Sequence, residues 1–346
     1  MPCVGLDISD TSLKYISFTP SLRDGSKRRI EQWGEISIPN EVLSRGEIKD
    51  GAKLVAVLKE FKEKTKADFV RVSLPEERAY LFETDIRQNT PLKEVRGLLE
   101  FRLEENVPIP SRDVFFDYAI LPAAPDAKMV TVSVVAYAKQ TVEAYYGACI
   151  AAGLRPVSFE VEAQAMARAI VPADTKGSVL LVDFGKTRTG VGIVHKGALL
   201  YTSTIDLGGD HLSQVLRKAL GDTPEAELIR IKNEQGLVRG AESSIIRDSL
   251  LSTVSVIRDE LVTRMQYWHT RTGNDDVRRI STVIVGGGSA NLKGVTEYFS
   301  ETLGVTTERG NVWSNVFSLD ITVPPIDRAH SYAYAAAIGL ALKCTV

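Results

Sequence analysis

The stretch Val4-Gly5-Leu6-Asp7-Ile8-Ser9-Asp10-Thr11-Ser12-Leu13-Lys14 joins two apolar runs through an acidic, hydroxyl-rich turn. The same arrangement returns at Leu181-Val182-Asp183-Phe184-Gly185-Lys186-Thr187-Arg188-Thr189-Gly190. Each begins with an apolar run that predicts a buried strand, with an aspartate at the strand end. A third turn, Val283-Ile284-Val285-Gly286-Gly287-Gly288-Ser289, also follows an apolar strand. One such turn is weak evidence, but three in this order predict a nucleotide held between two related lobes.

The bulk properties indicate a soluble globular protein with two or more domains. The chain has 346 residues, of which 44% are hydrophobic and 25% charged, as is ordinary for this class. With a net charge of −2, the sequence lacks the excess of basic residues that is typical of proteins that bind nucleic acid or anionic membranes. Cys3, Cys149 and Cys344 lack metal-ligand spacing, and such a sparse set suits a reducing cytosol. No window approaches the ~20 apolar residues of a membrane span, and no signal peptide is predicted, so a partner would have to supply any membrane attachment.

The first part of the chain reads as a mixed α/β layer structure. Strands are expected at 3–8, 13–18, 30–38 and Phe69–Leu74, and apolar residues at helical spacing predict a helix over Ala52–Lys64.

The stretch 76–153 is interpreted as a small inserted α/β module, because its pattern predicts a helix, two strands and a second helix. Thr90 and Pro91 predict a helix start, with the hydroxyl as N-cap and the proline at the first helical position. Strands are expected at Val114–Leu121 and Met129–Ala136, joined by a hairpin loop, and a helix at Thr141–Ala152.

After Ser178 the order of strand, Asp-containing turn and strand restarts, which is a weak internal duplication of the N-terminal unit. Gly208-Gly209 precedes a predicted helix at His211–Leu220. A long amphipathic helix is expected at Ser244–Arg271, and a final helix rich in Ala and Gly at Ala329–Leu342.

The two Asp-containing turns have the residue types that a magnesium-bound nucleoside triphosphate requires. Backbone amides must surround the phosphates, carboxylates must face Mg²⁺ through its waters, and hydroxyls or a cation must complete the phosphate shell. Lys14 is expected to face away from the apolar Leu13 and toward the phosphates. Asp7 and Asp183 are the predicted carboxylates for hydrated Mg²⁺. The other candidates in these turns are Ser9, Thr11, Ser12, Gly185, Lys186, Thr187 and Arg188.

Each candidate also has a purely structural alternative. A single polar hairpin explains either turn alone, because Asp, Ser and Gly dominate turns anyway. Glu227 and Arg230 lie one helical turn apart, so they form either an ordinary surface pair or a contact to ribose and base. The glycines Gly286 to Gly288 let a backbone approach a nucleoside closely, but they lack dinucleotide-binding spacing.

The order of these motifs resembles the actin-like ATPase superfamily. Within it, the chain is similar to the PilM family of type IV pilus assembly proteins, which is related to the division protein FtsA. The more specific stretches are Val107-Pro108-Ile109-Pro110 followed by Asp113–Tyr118, the glycine motif Val285–Gly294, and Tyr334–Leu342. The resemblance covers essentially the whole chain.

The resemblance implies an α/β actin-like fold with two RNase-H-like lobes around a nucleotide cleft and a small inserted module in the first lobe. The first lobe would comprise 1–75, 154–175 and 329–346, and the inserted module 76–153. The second lobe would comprise 176–328, with 206–279 as its helical subdomain.

The resemblance also implies a set of site residues for ATP and Mg²⁺. Beside the two phosphate turns, this set includes Gly208, Gly209, Glu227 and Arg230. At the adenosine, it includes Gly286, Gly287, Gly288, Ser289 and Asn291. Glu160 would orient a water or Mg²⁺ at the connection between the lobes. The chain departs from the family at Ser9, where glycine is usual, and at Ser203 or Thr204, where arginine is frequent.

The implied function is that of an ATP-binding scaffold, at most a slow ATPase, of the pilus machinery that serves twitching motility. It would be cytoplasmic and associated with the inner membrane through the cytoplasmic N-terminal tail of PilN, with further contacts to other pilus-assembly proteins and to itself. That tail is expected in a groove between the first lobe and the inserted module.

Two alternatives stay open from the sequence. A small-molecule kinase of the same superfamily would need a base carboxylate aimed at a substrate hydroxyl, and no second-substrate motif is evident. An FtsA-like division protein would carry an amphipathic membrane helix after the final helix, and the sequence ends at Val346 directly after that helix.

Overall fold

The computed structural model describes residues 3–19, 28–238, 244–273 and 276–343. The chain divides into two compact units. The first comprises the residues up to Arg168, the segment Lys196–Thr202 and the residues from Ala336 onward, and the second comprises Ala169–His195 and Ser203–Ala335. Within the described ranges, no helix is both long enough and apolar enough to cross a lipid bilayer.

The first half of the chain contains the predicted elements in the predicted order, together with four further strands. In chain order the elements are β1 (Val4–Ile8), β2 (Ser12–Phe18), β3 (Ile30–Ser37), β4 (Leu43–Ser44), β5 (Glu47–Ile48), α1 (Gly51–Thr65), β6 (Phe69–Leu74), β7 (Ala79–Arg87), α2 (Leu92–Asn106), β8 (Val114–Ile120), β9 (Met129–Ala138), α3 (Lys139–Ala151), β10 (Arg155–Val161) and α4 (Glu162–Ile170).

The second half has a similar start and then a helical region. Its elements are β11 (Ser178–Phe184), β12 (Thr189–His195), β13 (Ala198–Ile205), α5 (Gly209–Leu220), α6 (Glu225–Glu234), α7 (Ser244–Thr272), β14 (Ile280–Gly286), α8 (Val295–Leu303), β15 (Thr306–Arg309), α9 (Arg328–Ser331) and α10 (Ala335–Leu342).

Two five-stranded sheets have the same strand order, which confirms the internal duplication. The first sheet runs β3-β2-β1-β6-β10 and the second β13-β12-β11-β14-β15. In both sheets the first strand pairs antiparallel with the second and parallel with a later strand. The strands β1 and β11 are buried along nearly their whole length, because helices and loops cover both faces of a sheet with parallel strands.

The inserted module has its own sheet and core. Its strands lie in the order β7-β9-β8, all antiparallel, and the apolar stripe of α2 (Val95, Leu99, Leu103) packs on one face. Helix α3 packs against α1 and β10 as well as β9, and the Tyr145 hydroxyl donates to the Gly46 carbonyl at 3.1 Å.

Helix α7 forms as its apolar spacing predicts. The residues expected to face inward are all buried: Ile246, Leu250, Val254, Ile257, Leu261, Met265 and Trp268. Polar and charged residues occupy most of the remaining surface of this helix.

Some predicted elements are wrong in detail. The N-cap of α2 is Pro91, in an extended conformation and without a side-chain cap bond, so Thr90 does not cap this helix. The predicted final helix Ala329–Leu342 is interrupted, because a 3-10 turn at Tyr332–Tyr334 separates α9 from α10. Strands β4, β5, β7 and β10 of the first half, and β15 of the second, were not predicted. Residues 1–2, 20–27 and 344–346 of the predicted first lobe lie outside the described residues.

Candidate functional site

The first turn places a buried carboxylate at the end of β1. Asp7 is only 4% exposed and accepts a hydrogen bond from the Ser73 hydroxyl at 2.8 Å. Ser73 in turn accepts from the Ile8 amide at 2.9 Å. Burial raises the pKa of Asp7, and the nearby Lys14 ammonium and the Ser73 hydrogen bond oppose that rise.

Lys14 lies opposite Asp7 in the strand pairing and faces the polar side of the turn, as strand alternation predicts. Its ammonium donates to the Ser12 hydroxyl at 2.5 Å and forms an ion pair with Glu35 on β3 at 3.3 Å. A carboxylate, an ammonium and a second carboxylate therefore follow one another across three neighbouring strands.

Ser9, the departure from the family's glycine, is used within its own turn. Its amide and its hydroxyl both donate to the Ser12 carbonyl, at 2.9 and 3.0 Å. Thr11 has a half-buried side chain, and its carbonyl accepts from the Ile38 amide at 2.9 Å. The hydroxyl of Ser9 thus tightens the turn in place of the freedom that glycine would give.

The second turn is closed by its own backbone. The Gly185 amide donates to the Arg188 carbonyl at 3.0 Å, and Asp183 pairs in register with Gly286 of the neighbouring strand. A Cβ atom at Gly287, whose φ is +81°, would lie 2.3 Å from the Asp183 Oδ1 atom. Only glycine allows the third turn to approach this carboxylate so closely.

Three of the predicted segments come together around the Gly185 carbonyl in the second unit. It accepts from the Gly209 amide at 3.0 Å and from the Ser289 hydroxyl at 3.0 Å. The Lys186 carbonyl accepts from the Asp210 amide at 2.8 Å, and a Cβ at Gly208 would lie 2.6 Å from the Arg188 nitrogen. These backbone segments pack closely, with the Ser289 hydroxyl between them, at the edge where β11 and β14 end.

The remaining predicted residues of the second unit have identified partners. Arg230 forms two hydrogen bonds to Glu227, at 2.8 and 2.6 Å, and a third to Glu234 at 2.7 Å, on an exposed face of α6. Asn291 donates to the carbonyls of Gly288 (3.1 Å) and Ala329 (2.8 Å), so it holds the glycine turn against the start of α9. To contact a ribose, the Glu227 and Arg230 side chains would have to break the hydrogen bonds that they form with each other.

Glu160 lies on β10 inside the first unit, with its side chain 10% exposed. Its carboxylate is bound by the Arg168 guanidinium through both terminal nitrogens and lies 3.4 Å from the Lys343 ammonium. Arg168 also donates to the Gly339 carbonyl at 2.8 Å, which connects β10, α4 and α10.

Sequence reasoning missed two cations near these turns. Lys232 is buried and donates to the Gly209 carbonyl at 3.2 Å and to the Ser213 hydroxyl at 2.8 Å, and burial lowers its pKa. Arg264 from α7 donates to the hydroxyl of Ser203, which with Thr204 is one of the two candidate positions for the expected arginine, at 2.6 Å. Lys232 follows Glu225 and Leu228 at helical spacing, but nothing in the sequence connects Arg264 to Ser203.

The duplicated sheets and the glycine turns define the chain as a protein of the actin-like ATPase fold. The family model described as type IV pilus assembly protein PilM matches residues 5–345, so the chain belongs to this family.

Solved structures agree on the fold. A PilM-PilN type IV pilus biogenesis complex contains a chain with 21% identity and a TM-score of 0.77, covering 98% of this chain and 97% of that one. The ethanolamine utilization protein EutJ from Carboxydothermus hydrogenoformans has a TM-score of 0.56 at 18% identity, covering 99% and 89%. MreB5 of Spiroplasma citri bound to ADP has a TM-score of 0.55 at 14% identity, covering 98% and 94%. At these identities the likeness concerns the fold alone.

A curated relative is the cell division protein FtsA of Pseudomonas aeruginosa. It is 27% identical over 232 residues, which cover 62% of this chain and 53% of the relative. The match therefore spans about half the length of that protein.

Proposed function

We propose that this chain is an ATP-binding cytoplasmic scaffold of the type IV pilus assembly machinery. The observation that carries the proposal is the packing of three glycine-bearing segments around the Gly185 carbonyl, in a chain that belongs to the PilM family. MreB5, which has the same fold, has been crystallised with ADP. Turns without side chains let phosphate oxygens and a nucleoside approach the main chain closely, which is the role proposed for these glycines.

The two Asp-containing turns, one in each unit, are the proposed binding elements for a Mg²⁺-nucleotide. Asp7 and Asp183 would hold the hydrated Mg²⁺ through its waters, a role in which a cation offsets the cost of keeping the Asp7 carboxylate charged while buried. Lys14, Ser12 and Thr11 would complete the phosphate shell of the first turn. Lys186, Thr187 and Arg188 would do the same in the second.

The proposed division of the chain follows the family. The first lobe is 1–75, 154–175 and 329–346, the inserted module is 76–153, and the second lobe is 176–328 with its helical subdomain at 206–279. Glu160 is the proposed residue that orients a water or Mg²⁺. For that role the Glu160 carboxylate would have to break its hydrogen bonds with Arg168, which is consistent with slow ATP hydrolysis at most.

Isothermal titration with Mg²⁺-ATP tests the nucleotide site. Replacing Asp7 and Asp183 together by Asn should weaken binding by about two to four decades, because each charge-assisted contact contributes roughly 1.5–3 kcal/mol. Asp10→Asn is the matched control, since Asp10 lies in the same turn but accepts from the amides of Arg45 (3.0 Å) and Gly46 (3.2 Å). Unchanged affinity in the double variant would refute the assignment.

The proposed partner is the cytoplasmic N-terminal tail of PilN, which would recruit the protein to the inner membrane. A solved PilM-PilN complex of the same fold supports this choice. The tail would lie as an extended segment between the first sheet and the inserted module, where main-chain hydrogen bonds and side-chain pockets give affinity and specificity. Titration of a PilN-tail peptide should give saturable binding, and a scrambled peptide of equal charge should not bind. Equal binding of both peptides would contradict the proposal.

A further inference from the structure

A cavity of about 420 Å³ lies in the second unit, between the segment that follows β15 and helix α9. Sites for small molecules commonly have volumes of roughly 300–1,000 Å³. None of the residues assigned above to ATP or Mg²⁺ lines this cavity. The proposed nucleotide site therefore does not account for this cavity.

The wall of the cavity is apolar and well supported. Trp313, 3% exposed, stacks on Phe317 with ring centroids 5.3 Å apart and an angle of 12° between the planes. Val312 and Ile326, each 1% exposed, also line the cavity. Because these side chains pack against the core, the cavity does not depend on mobile surface groups for its shape.

The rim has apolar side chains that the chain itself leaves uncovered. Val323 is 90% exposed and Leu319 is 47% exposed, although both line the cavity. A ligand seated here would remove apolar surface of the rim from water, which stabilises the complex.

Most polar groups at the cavity are already hydrogen-bonded. The Asn311 side-chain oxygen accepts from the Trp313 amide at 3.1 Å. The Asp327 carboxylate accepts from the amide and the ring of His330, at 3.0 and 2.5 Å. Arg328 donates through Nε to the Tyr332 hydroxyl at 2.9 Å, and within the described ranges its two terminal amino groups have no partner. The mouth of an apolar cavity therefore offers one cation with free donors.

We propose that this cavity binds a small amphiphilic anion, with an aromatic or acyl body and a single acidic head. The body fills the space beside Trp313 and covers Val323, and the head lies at the Arg328 guanidinium. A second acidic group is disfavoured because it would lie near the Asp327 carboxylate. A neutral polar ligand is disfavoured because the apolar wall cannot replace the hydrogen bonds that the ligand makes with water.

Two fluorescent probes of the same ring skeleton test this proposal on the full chain. One is 8-anilino-1-naphthalenesulfonate, which carries one anionic group, and the other is the neutral N-phenyl-1-naphthylamine. The anionic probe should bind with 1:1 stoichiometry and accept energy from Trp313, and Trp313→Phe should remove most of that transfer while retaining affinity. Saturating Mg²⁺-ATP should not displace it, so the outcome is independent of the nucleotide proposal.

Matched variants locate the probe. Val323→Asp should weaken binding of both probes at least about tenfold, because it places a charge in the apolar rim. Ile321→Asp is the control, since Ile321 is 82% exposed in the same loop but does not line the cavity. Arg328→Gln should weaken the anionic probe about two- to fivefold, as expected for an exposed charge contact, and leave the neutral probe unchanged.

Three results would overturn the proposal. They are displacement of the probe by Mg²⁺-ATP, equal effects of Val323→Asp and Ile321→Asp, and equal loss of both probes in Arg328→Gln. Circular dichroism of each variant, compared with the parent chain, separates loss of binding from loss of folding.

Discussion

Gly287 shows at the scale of one residue how closely the second and third turns approach. Its φ of +81° is one that other residues rarely adopt, and an added Cβ would meet the Asp183 carboxylate at 2.3 Å and the Phe184 carbonyl at 2.6 Å. We expect Gly287→Ala to lower the free energy of unfolding by roughly 2–4 kcal/mol through backbone strain and overpacking. It should also weaken nucleotide binding.

The neighbouring Gly288 is the control for this prediction. A Cβ there would meet only the Ala333 Cβ atom, at 3.9 Å, which is ordinary contact. Gly288→Ala should change stability by no more than about 0.5 kcal/mol. Urea denaturation of both variants checks the pair, and equal costs would show that the close approach at Gly287 is not what constrains this turn.

Asp7 carries a stability cost that depends on pH. Because its pKa is raised in the folded state, folding is favoured by protonation of Asp7 at low pH, and this contribution is lost as the pH rises through the folded pKa. At neutral pH the charged, buried carboxylate therefore lowers stability. Asp7→Asn should raise the melting temperature at pH 7 in the absence of Mg²⁺ and nucleotide, and the gain should shrink toward the ordinary carboxyl pKa of about 3.9.

Thermal scans of the parent and Asp7→Asn chains between pH 4 and 8 measure this difference. A variant that is less stable at pH 7, or a difference that does not vary with pH, would contradict the assigned direction. A stabilised variant that no longer binds Mg²⁺-ATP would show that stability is given up for function at this residue.

Local pattern predicted some residues of the site and not others. The direction of Lys14 followed from strand alternation, and the pairing of Glu227 with Arg230 from helical spacing. The partners of Lys232 and Glu160 depend on how α5 packs on α6 and how α10 packs on α4. The contact of Lys232 with Ser213 joins residues 19 apart in sequence and that of Glu160 with Lys343 joins residues 183 apart, which local spacing does not specify.

At the scale of elements, helix α10 packs so closely that it requires glycines. A Cβ at Gly339 would lie 1.7 Å from the Ala165 carbonyl of α4, and a Cβ at Gly5 of β1 would lie 2.1 Å from the Ala337 carbonyl. Backbone atoms cannot move aside as a flexible side chain can. We expect Gly339→Ala to cost roughly 3–5 kcal/mol, measured by chemical denaturation.

A helical glycine with free space gives the opposite expectation. At Gly97 on α2, no atom of the described residues outside the local backbone lies within 4 Å of the position that a Cβ would take. Gly97→Ala should therefore stabilise the chain by roughly 0.5–1 kcal/mol through helix propensity. If both substitutions destabilised equally, backbone contact at α10 would not be the cause.

Sequence pattern predicted elements best where one period dominated. The strands around both Asp-containing turns and the long stripe of α7 have clear alternation or helical spacing. Strand β7 was missed because its residues are mostly half-buried and do not alternate cleanly. The break between α9 and α10 was missed because Tyr332 is fixed by tertiary contacts, including the hydrogen bond from the Gly287 amide to its carbonyl at 3.2 Å.

At the scale of the whole molecule, the two sheets repeat one strand order, and each has its Asp-containing turn directly after its first central strand. A duplicated unit of this kind supplies two turns with the same residue types, one in each unit. The sequence could predict the duplication because turn chemistry is local. It could not specify the inserted module's core, whose strands pair across up to 58 residues in sequence.

If the proposed Mg²⁺-nucleotide contacts both Asp-containing turns, its binding should protect each of them from hydrogen exchange. Mg²⁺-ATP at 100 times its Kd should stabilise the binding-competent state by about 2.7 kcal/mol. Hydrogen exchange should therefore slow in both turns, 7–14 and 183–188, with the same dependence on ATP concentration. The variant with both Asp7 and Asp183 replaced by Asn is the control and should show no slowing. Protection confined to the second unit would mean that the nucleotide contacts only the glycine segments there, and the first turn would lose its assigned role.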